Sequence, residues 1–110
     1  MKKVIITGYS NGAIGTWYYS KKHSKLFTAA IPVAGFYKKP SRIKVPMYIL
    51  HGENDELFNA TLVEAAIKKS IEKKSIINYK ILPKYSHFMG CYYMKELKKM
   101  ALLTQKEILN

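Results

Sequence analysis

The sequence predicts an α/β protein built on about four mostly parallel strands with three helices. Three observations carry that prediction. Short apolar runs alternate with segments of helical period in the order β-α-β-loop-β-α-β-α, and each run closes on a turn-rich stretch. The composition, 48% hydrophobic and 24% charged over 110 residues, is that of one small globular domain spanning 1–110. Right-handed crossovers between successive strands keep such a sheet parallel.

The first strand is the β-branched run from Val4 to Thr7, which leads directly into Gly8-Tyr9-Ser10-Asn11-Gly12. Strand, Gly-x-Ser-x-Gly turn and helix in that order place Ser10 at the tip of a strained turn, with its hydroxyl above the sheet. Gly8 and Gly12 are both expected to be required there, because a Cβ at either would collide with its neighbours. Ala13, Ile14, Trp17 and Tyr18 give the following helix its apolar face, and Lys21 and Lys22 suit the negative end of its dipole. Ala29 to Ala34, closed by Gly35, is the second strand. The tract from Phe36 to Val45, with Pro40 and then Pro46, has no helical period and reads as a connection.

Met47 to Leu50 is the third strand, and it stops in His51-Gly52-Glu53-Asn54-Asp55-Glu56. Thr61-Leu62-Val63-Glu64 has the form of a capping box. Leu62, Val63, Ala66, Ile67 and Ile71 then form a stripe opposite Glu64, Lys68 and Glu72. Ile76 to Leu82, more polar and partly alternating, reads as a strand near a sheet edge, ended by Pro83. Ser86 is the expected cap of a last helix that carries Tyr93, Leu97, Met100, Ala101, Thr104 and Ile108 on one face. Successive crossovers in one direction put the first and second helices on one sheet face and the last on the other.

The net charge of +12 raises the question of a nucleic-acid partner. The basic residues are almost all lysines in scattered pairs, with Arg42 the only arginine, whereas base and phosphate readers favour arginine forks. No specific nucleic-acid binding is expected. The apolar runs fall far short of the roughly 20 residues that span a bilayer, and no signal-peptide pattern opens the chain, so the expected location is cytoplasmic. The single cysteine, Cys91, fits a reducing compartment. His23, His51 and His87 lack metal-ligand spacing, and neither a metal nor another cofactor is expected.

In open parallel sheets the working groups gather beyond the carboxyl ends of the strands. Ser10, Asp55 and His87 follow the first, third and fourth strands. A serine hydroxyl needs a base as it attacks, imidazole suits that task, and a carboxylate on the far ring nitrogen fixes the tautomer. Asp55 is the only aspartate in the chain. His23 lies at the wrong end of the first helix, and His51, still at a strand end, is better suited to anchoring the Asp55 turn. Around His87, Tyr9, Phe88 and Met89 are candidate walls of a substrate pocket, although aromatics near the last helix also read as plain core packing.

These stretches together, Gly8 to Gly12 with Gly15-Thr16-Trp17, Phe27 to Gly35, Val45 to Asp55 and Tyr85-Ser86-His87, resemble the C-terminal half of an α/β-hydrolase. The esterase and predicted-peptidase branch, near dienelactone hydrolases, feruloyl esterases and prolyl-oligopeptidase-like proteins, is the most similar. The resemblance implies Ser10 as nucleophile, Asp55 as acid, His87 as base and the Asn11 backbone N–H as an oxyanion donor, acting on a small-molecule ester. It also implies about four strands before the elbow strand, with a second oxyanion donor on an early loop. This chain opens at the elbow strand, so a truncated fold lacking the N-terminal strands is expected. The alternatives to an active esterase are a non-catalytic remnant or interaction module and one half of a split hydrolase. The strand Lys3 to Thr7, lacking a second neighbour, is the expected contact for a homodimer or a separate N-terminal half.

Overall fold

A computed structural model describes residues 3–39 and 41–106. Its elements are β1 (Ile5–Tyr9), α1 (Asn11–Lys22), a single 3-10 turn (Ser24–Leu26), β2 (Ala29–Val33), β3 (Met47–Gly52), α2 (Ala60–Glu72), β4 (Ile77–Leu82) and α3 (Gly90–Thr104). The four strands lie in the order β1-β2-β3-β4, every pair parallel. The α/β class, the strand count and the helix count agree with the sequence pattern.

β2 and β3 are buried along their whole length because helices cover both of their faces. On one face Trp17 of α1 and Val63 and Ile67 of α2 pack over Ala30, Met47 and Ile49. On the other, Tyr93, Leu97, Met100 and Ala101 of α3 pack over Ile31, Val33, Tyr48 and Leu50. The expected division of helices, two against one, is the observed one. Pro32 sits inside β2, where a ladder donor is ordinarily required. Ala30 and Ala34 donate to the carbonyls of Pro46 and Leu50 on the β3 side, and Pro32, midway between them, has no N–H to give.

β4 is an edge strand, with alternating half-buried and exposed positions from Ile77 to Ile81. β1 has β2 as its strand neighbour among the described residues, and Ile5 and Ile6 are half-buried. This strand runs two residues further than the Val4 to Thr7 run, through Gly8 to Tyr9.

Several local expectations are corrected. α2 is capped by Asn59, whose side chain accepts hydrogen bonds from the Thr61 and Leu62 N–H groups, and not by a Thr61 capping box. Its buried seam is Val63, Ala66, Ile67 and Ser70, so Leu62 and Ile71 are exposed. The seam accepts Ser70 because its hydroxyl donates to the Ser41 carbonyl and meets the Ser75 hydroxyl. α1 buries Ala13, Thr16, Trp17 and Ser20, a narrower seam of small residues around one Trp, leaving Tyr18 at the surface. α3 begins after Met89, not at Ser86, whose N–H is directed to the Met89 sulfur at 3.2 Å. Ile108 lies outside the described residues. No described helix is long and apolar enough to cross a membrane.

Candidate active site

Three loops at the carboxyl ends of β1, β3 and β4 meet at one place. Ser10 has φ 60° and ψ −114°, a conformation that L-residues rarely adopt and that typically costs of order 1–3 kcal/mol. It is held there by its own N–H, which donates to the Val33 carbonyl at 2.9 Å, and by its carbonyl, which accepts the Ala13 N–H at 2.9 Å. A Cβ on Gly8 would stand 2.2 Å from the Gly12 carbonyl oxygen, and one on Gly35 would stand 2.6 Å from that of Ser10. Gly12 departs from expectation: a Cβ added there meets nothing within 4 Å. The close approach belongs to Gly8 packing on the Gly12 backbone.

Asp55 is buried in the turn after β3. Its Oδ1 accepts the N–H groups of Leu57 at 2.9 Å and Phe58 at 2.7 Å, which leaves Oδ2 for His87 Nδ1 at 2.9 Å. His87, also buried, places Nε2 2.9 Å from Ser10 Oγ. A carboxylate can only accept, so Nδ1 carries the ring proton and Nε2 presents its lone pair to the serine hydroxyl. The structure thus brings Ser10, His87 and Asp55 into one hydrogen-bonded line.

The other histidines stand apart from that line. His23 caps the end of α1 and stacks on Tyr19. His51 is fully buried, and its Nε2 donates to the Phe58 carbonyl at 2.7 Å, bracing the segment that holds Asp55. Its Nδ1 is buried without a partner. Burial, the dominant influence, holds the His51 pKa below its ordinary 6.5, so the 3.7 Å approach of Nε2 to Asp55 Oδ2 joins a neutral ring to a carboxylate.

Asn11 opens α1 directly after Ser10, and the first N–H groups of a helix have no intrahelical acceptor, so the Asn11 N–H and the positive end of the helix dipole lie at the turn that carries Ser10. Ser10's own N–H is engaged with the Val33 carbonyl. The three candidate pocket residues separate. Phe88 is 72% exposed and stands edge-on to the His87 ring. Met89 packs under α3 with the core. Tyr9 stacks on His87 and turns its hydroxyl onto the His87 carbonyl oxygen, a contact the sequence did not foretell. Burial first, then the charges of Asp55 and Glu56, raises the Tyr9 pKa, which keeps that hydroxyl a donor.

Two further residues at the site escaped sequence reasoning. Glu56 Oε1 accepts the His87 N–H at 2.8 Å, and the Phe58 ring packs against the His87 ring on the side of Phe36. No capping or periodicity signal marks either, and their place within three residues of Asp55 is the one signal that could have found them. Two apolar hollows flank the site. One of about 430 Å³ lies between β1 and α3, lined by Thr7, Tyr9, Tyr93, Met94 and Leu97 among others. The other, about 320 Å³, lies by Ile14, Phe36 and Phe58, with Lys38 and Lys39 at its rim. Among the described residues no group of three His, Cys, Asp or Glu side chains is arranged to hold a metal.

The model of the dienelactone hydrolase family matches residues 1–98. Among solved structures, the fold is similar to that of a thermostable esterase, with a TM-score of 0.63 and 33% identity over 81% of this chain and 24% of that one. It is also similar to esterase PE8, with a TM-score of 0.65 and 21% identity over 84% of this chain and 49% of that one. An α/β serine hydrolase homologue from Coxiella burnetii has a TM-score of 0.64 and 17% identity over 96% of this chain and 50% of that one. The chain therefore spans between a quarter and a half of the length of these structures. No curated protein matches it in sequence.

Proposed function

The chain belongs to the dienelactone hydrolase family, and from that premise we propose that it is a serine hydrolase cleaving a small-molecule ester through Ser10, His87 and Asp55. The observation that carries the reading is the continuous line from Ser10 Oγ to His87 Nε2 and from His87 Nδ1 to Asp55 Oδ2, 2.9 Å at each junction, on a strained turn at a helix N-terminus. In the first step His87 Nε2 takes the hydroxyl proton as Ser10 Oγ attacks the acyl carbon. The oxyanion turns toward the Asn11 N–H, and Asp55 stabilises the imidazolium. Collapse breaks the bond to the alcohol, which leaves with the proton from His87. Water then attacks the acyl-enzyme, gives a proton to His87, and the acid departs as Ser10 regains its hydrogen. Beside this centre Tyr9 and Phe88 keep exposed surface for a substrate, while Met89 packs against the core.

One observation favours a second reading. The chain spans at most half the length of the solved structures it resembles, and the oxyanion donor that the resemblance implies within it is the Asn11 N–H. Loss of a single oxyanion donor typically lowers the rate by about 10² to 10³. On that reading the chain keeps the triad residues without turnover, or acts as one half of a split hydrolase that meets its other half, or a second copy, along Lys3 to Thr7. The cytoplasmic placement is part of the same proposal and draws on the free, exposed Cys91.

Labelling by a fluorophosphonate separates the readings. Wild-type protein labelled at Ser10, with Ser10→Ala unlabelled and inactive on an activated aryl ester, is the expected result. Equal hydrolysis by wild type and Ser10→Ala would remove the serine mechanism.

A further inference from the structure

A general base must stay within hydrogen-bond reach of two groups at once, and His87 rides on a segment, residues 83–89, that is neither helix nor strand. Its ring is tied to Ser10 and Asp55. Its main chain needs a tether of its own. Both polar groups of the His87 backbone are taken by side chains: the N–H donates to Glu56 Oε1 at 2.8 Å, and the carbonyl accepts the Tyr9 hydroxyl. Glu56 directly follows Asp55, and Tyr9 directly precedes Ser10. The turn that supplies the acid therefore grips His87 twice, by ring and by main chain, and two such points restrict rotation as well as distance.

We infer that Glu56 is a positioning residue for His87, holding the base in register with Asp55 and Ser10 through the His87 backbone N–H. This rests on the serine-hydrolase reading of the site. A carboxylate on a backbone N–H is a charge-assisted hydrogen bond, roughly twice as strong as a neutral one. Glu56 itself is exposed, so its truncation removes the bond without opening a cavity in the core. The turn it stands on is independently braced, by Asp55 Oδ1 on the Leu57 and Phe58 N–H groups and by His51 on the Phe58 carbonyl. Loss of the Glu56 bond thus leaves the His87 main chain with the Tyr9 hydroxyl as its one side-chain tie, while Asp55 stays in place.

The test compares wild type, Glu56→Ala and Glu56→Gln on an activated aryl ester, with Ser10 labelling run in parallel. Glu56→Ala is expected to lower kcat by up to about 10²-fold with KM little changed, the scale set by roughly 1 Å of misplacement. Glu56→Gln, whose amide oxygen can accept the same N–H, is expected to restore most of that loss. Equal kcat in wild type and Glu56→Ala overturns the inference, as does a Glu56→Gln that falls as far as the alanine variant. If wild type is neither labelled nor active, the serine-hydrolase reading fails, and the tether is then read from amide exchange at His87. Faster exchange in Glu56→Ala with wild-type exchange in Glu56→Gln sustains Glu56 as the tether of the His87 main chain; unchanged exchange in Glu56→Ala overturns it.

Discussion

A Cβ on Gly8 would lie 2.2 Å from the Gly12 carbonyl oxygen, whereas one on Gly12 would meet nothing within 4 Å. The two glycines of one motif therefore differ in what they tolerate. Gly8→Ala is expected to destabilise the fold by about 1–3 kcal/mol, the usual range for overpacking, because the obstacle is backbone that cannot rotate away. Gly12→Ala, inside α1 without positive φ, is expected to leave stability unchanged or raise it by up to about 1 kcal/mol. Urea denaturation of both variants measures the difference. His51 carries a pH signature. Its folded-state pKa lies below the ordinary 6.5 because of burial, so the unfolded chain binds a proton more readily. The stability held at neutral pH is lost as pH falls through about 6.5 toward the lowered folded value. Replacing His51 with Gln is expected to flatten that fall as pH drops through about 6.5. An unchanged slope in denaturation midpoint would assign the effect to other groups.

At the scale of elements, helix starts were the least legible feature of the sequence. Asn59 and Thr61 are both good cap residues, and a choice two positions apart depends on which side chain faces the free N–H groups. Asn59 does, bonding Thr61 and Leu62 N–H at 2.9 and 3.3 Å. Asn59→Ala is expected to cost about 1 kcal/mol, and Thr61→Ala to stay within about 0.5 kcal/mol of wild type. Equal losses in thermal denaturation would restore the capping box. The buried seams of α1 and α2 are likewise hidden from a hydropathy pattern where they include Thr16, Ser20 and Ser70. Hydropathy reads such residues as solvent-facing, yet Thr16 returns its hydroxyl to the Gly12 carbonyl and Ser70 donates to that of Ser41. The partners of Thr16 and Ser70 lie one turn back and on another loop, which a helical stripe does not display, and the Ser20 hydroxyl is buried without one.

For the whole molecule, charge and sheet edge oppose each other. β1 offers a side without a strand partner among the described residues, while each copy carries a net charge of +12. Pairing of two copies along Lys3 to Thr7 brings like charges together, and the Debye length shrinks from about 30 Å at 0.01 M salt to about 3 Å at 1 M. If that edge is the contact, self-association seen by light scattering at micromolar concentration rises with salt. A monomer at every salt concentration, with slowly exchanging amides at Val4 to Ile6, would remove the proposal.

By itself the sequence determined the α/β class, the order of strands and helices, the Gly-x-Ser-x-Gly turn after β1, and the three loops that carry Ser10, Asp55 and His87. It did so because hydrophobic period, β-branched runs and turn residues are local properties, and parallel crossovers allow few arrangements of them. Only the tertiary structure decided which acceptor each polar group finds. It turned the Tyr9 hydroxyl onto the His87 carbonyl, set Glu56 against the His87 N–H and gave His51 the Phe58 carbonyl as its acceptor. Tyr9 and His87 are 78 positions apart, and Glu56 and His87 are 31 apart. Hydrogen bonds over such separations form where packed loops bring donor and acceptor within about 3 Å, a distance no pattern along the chain encodes.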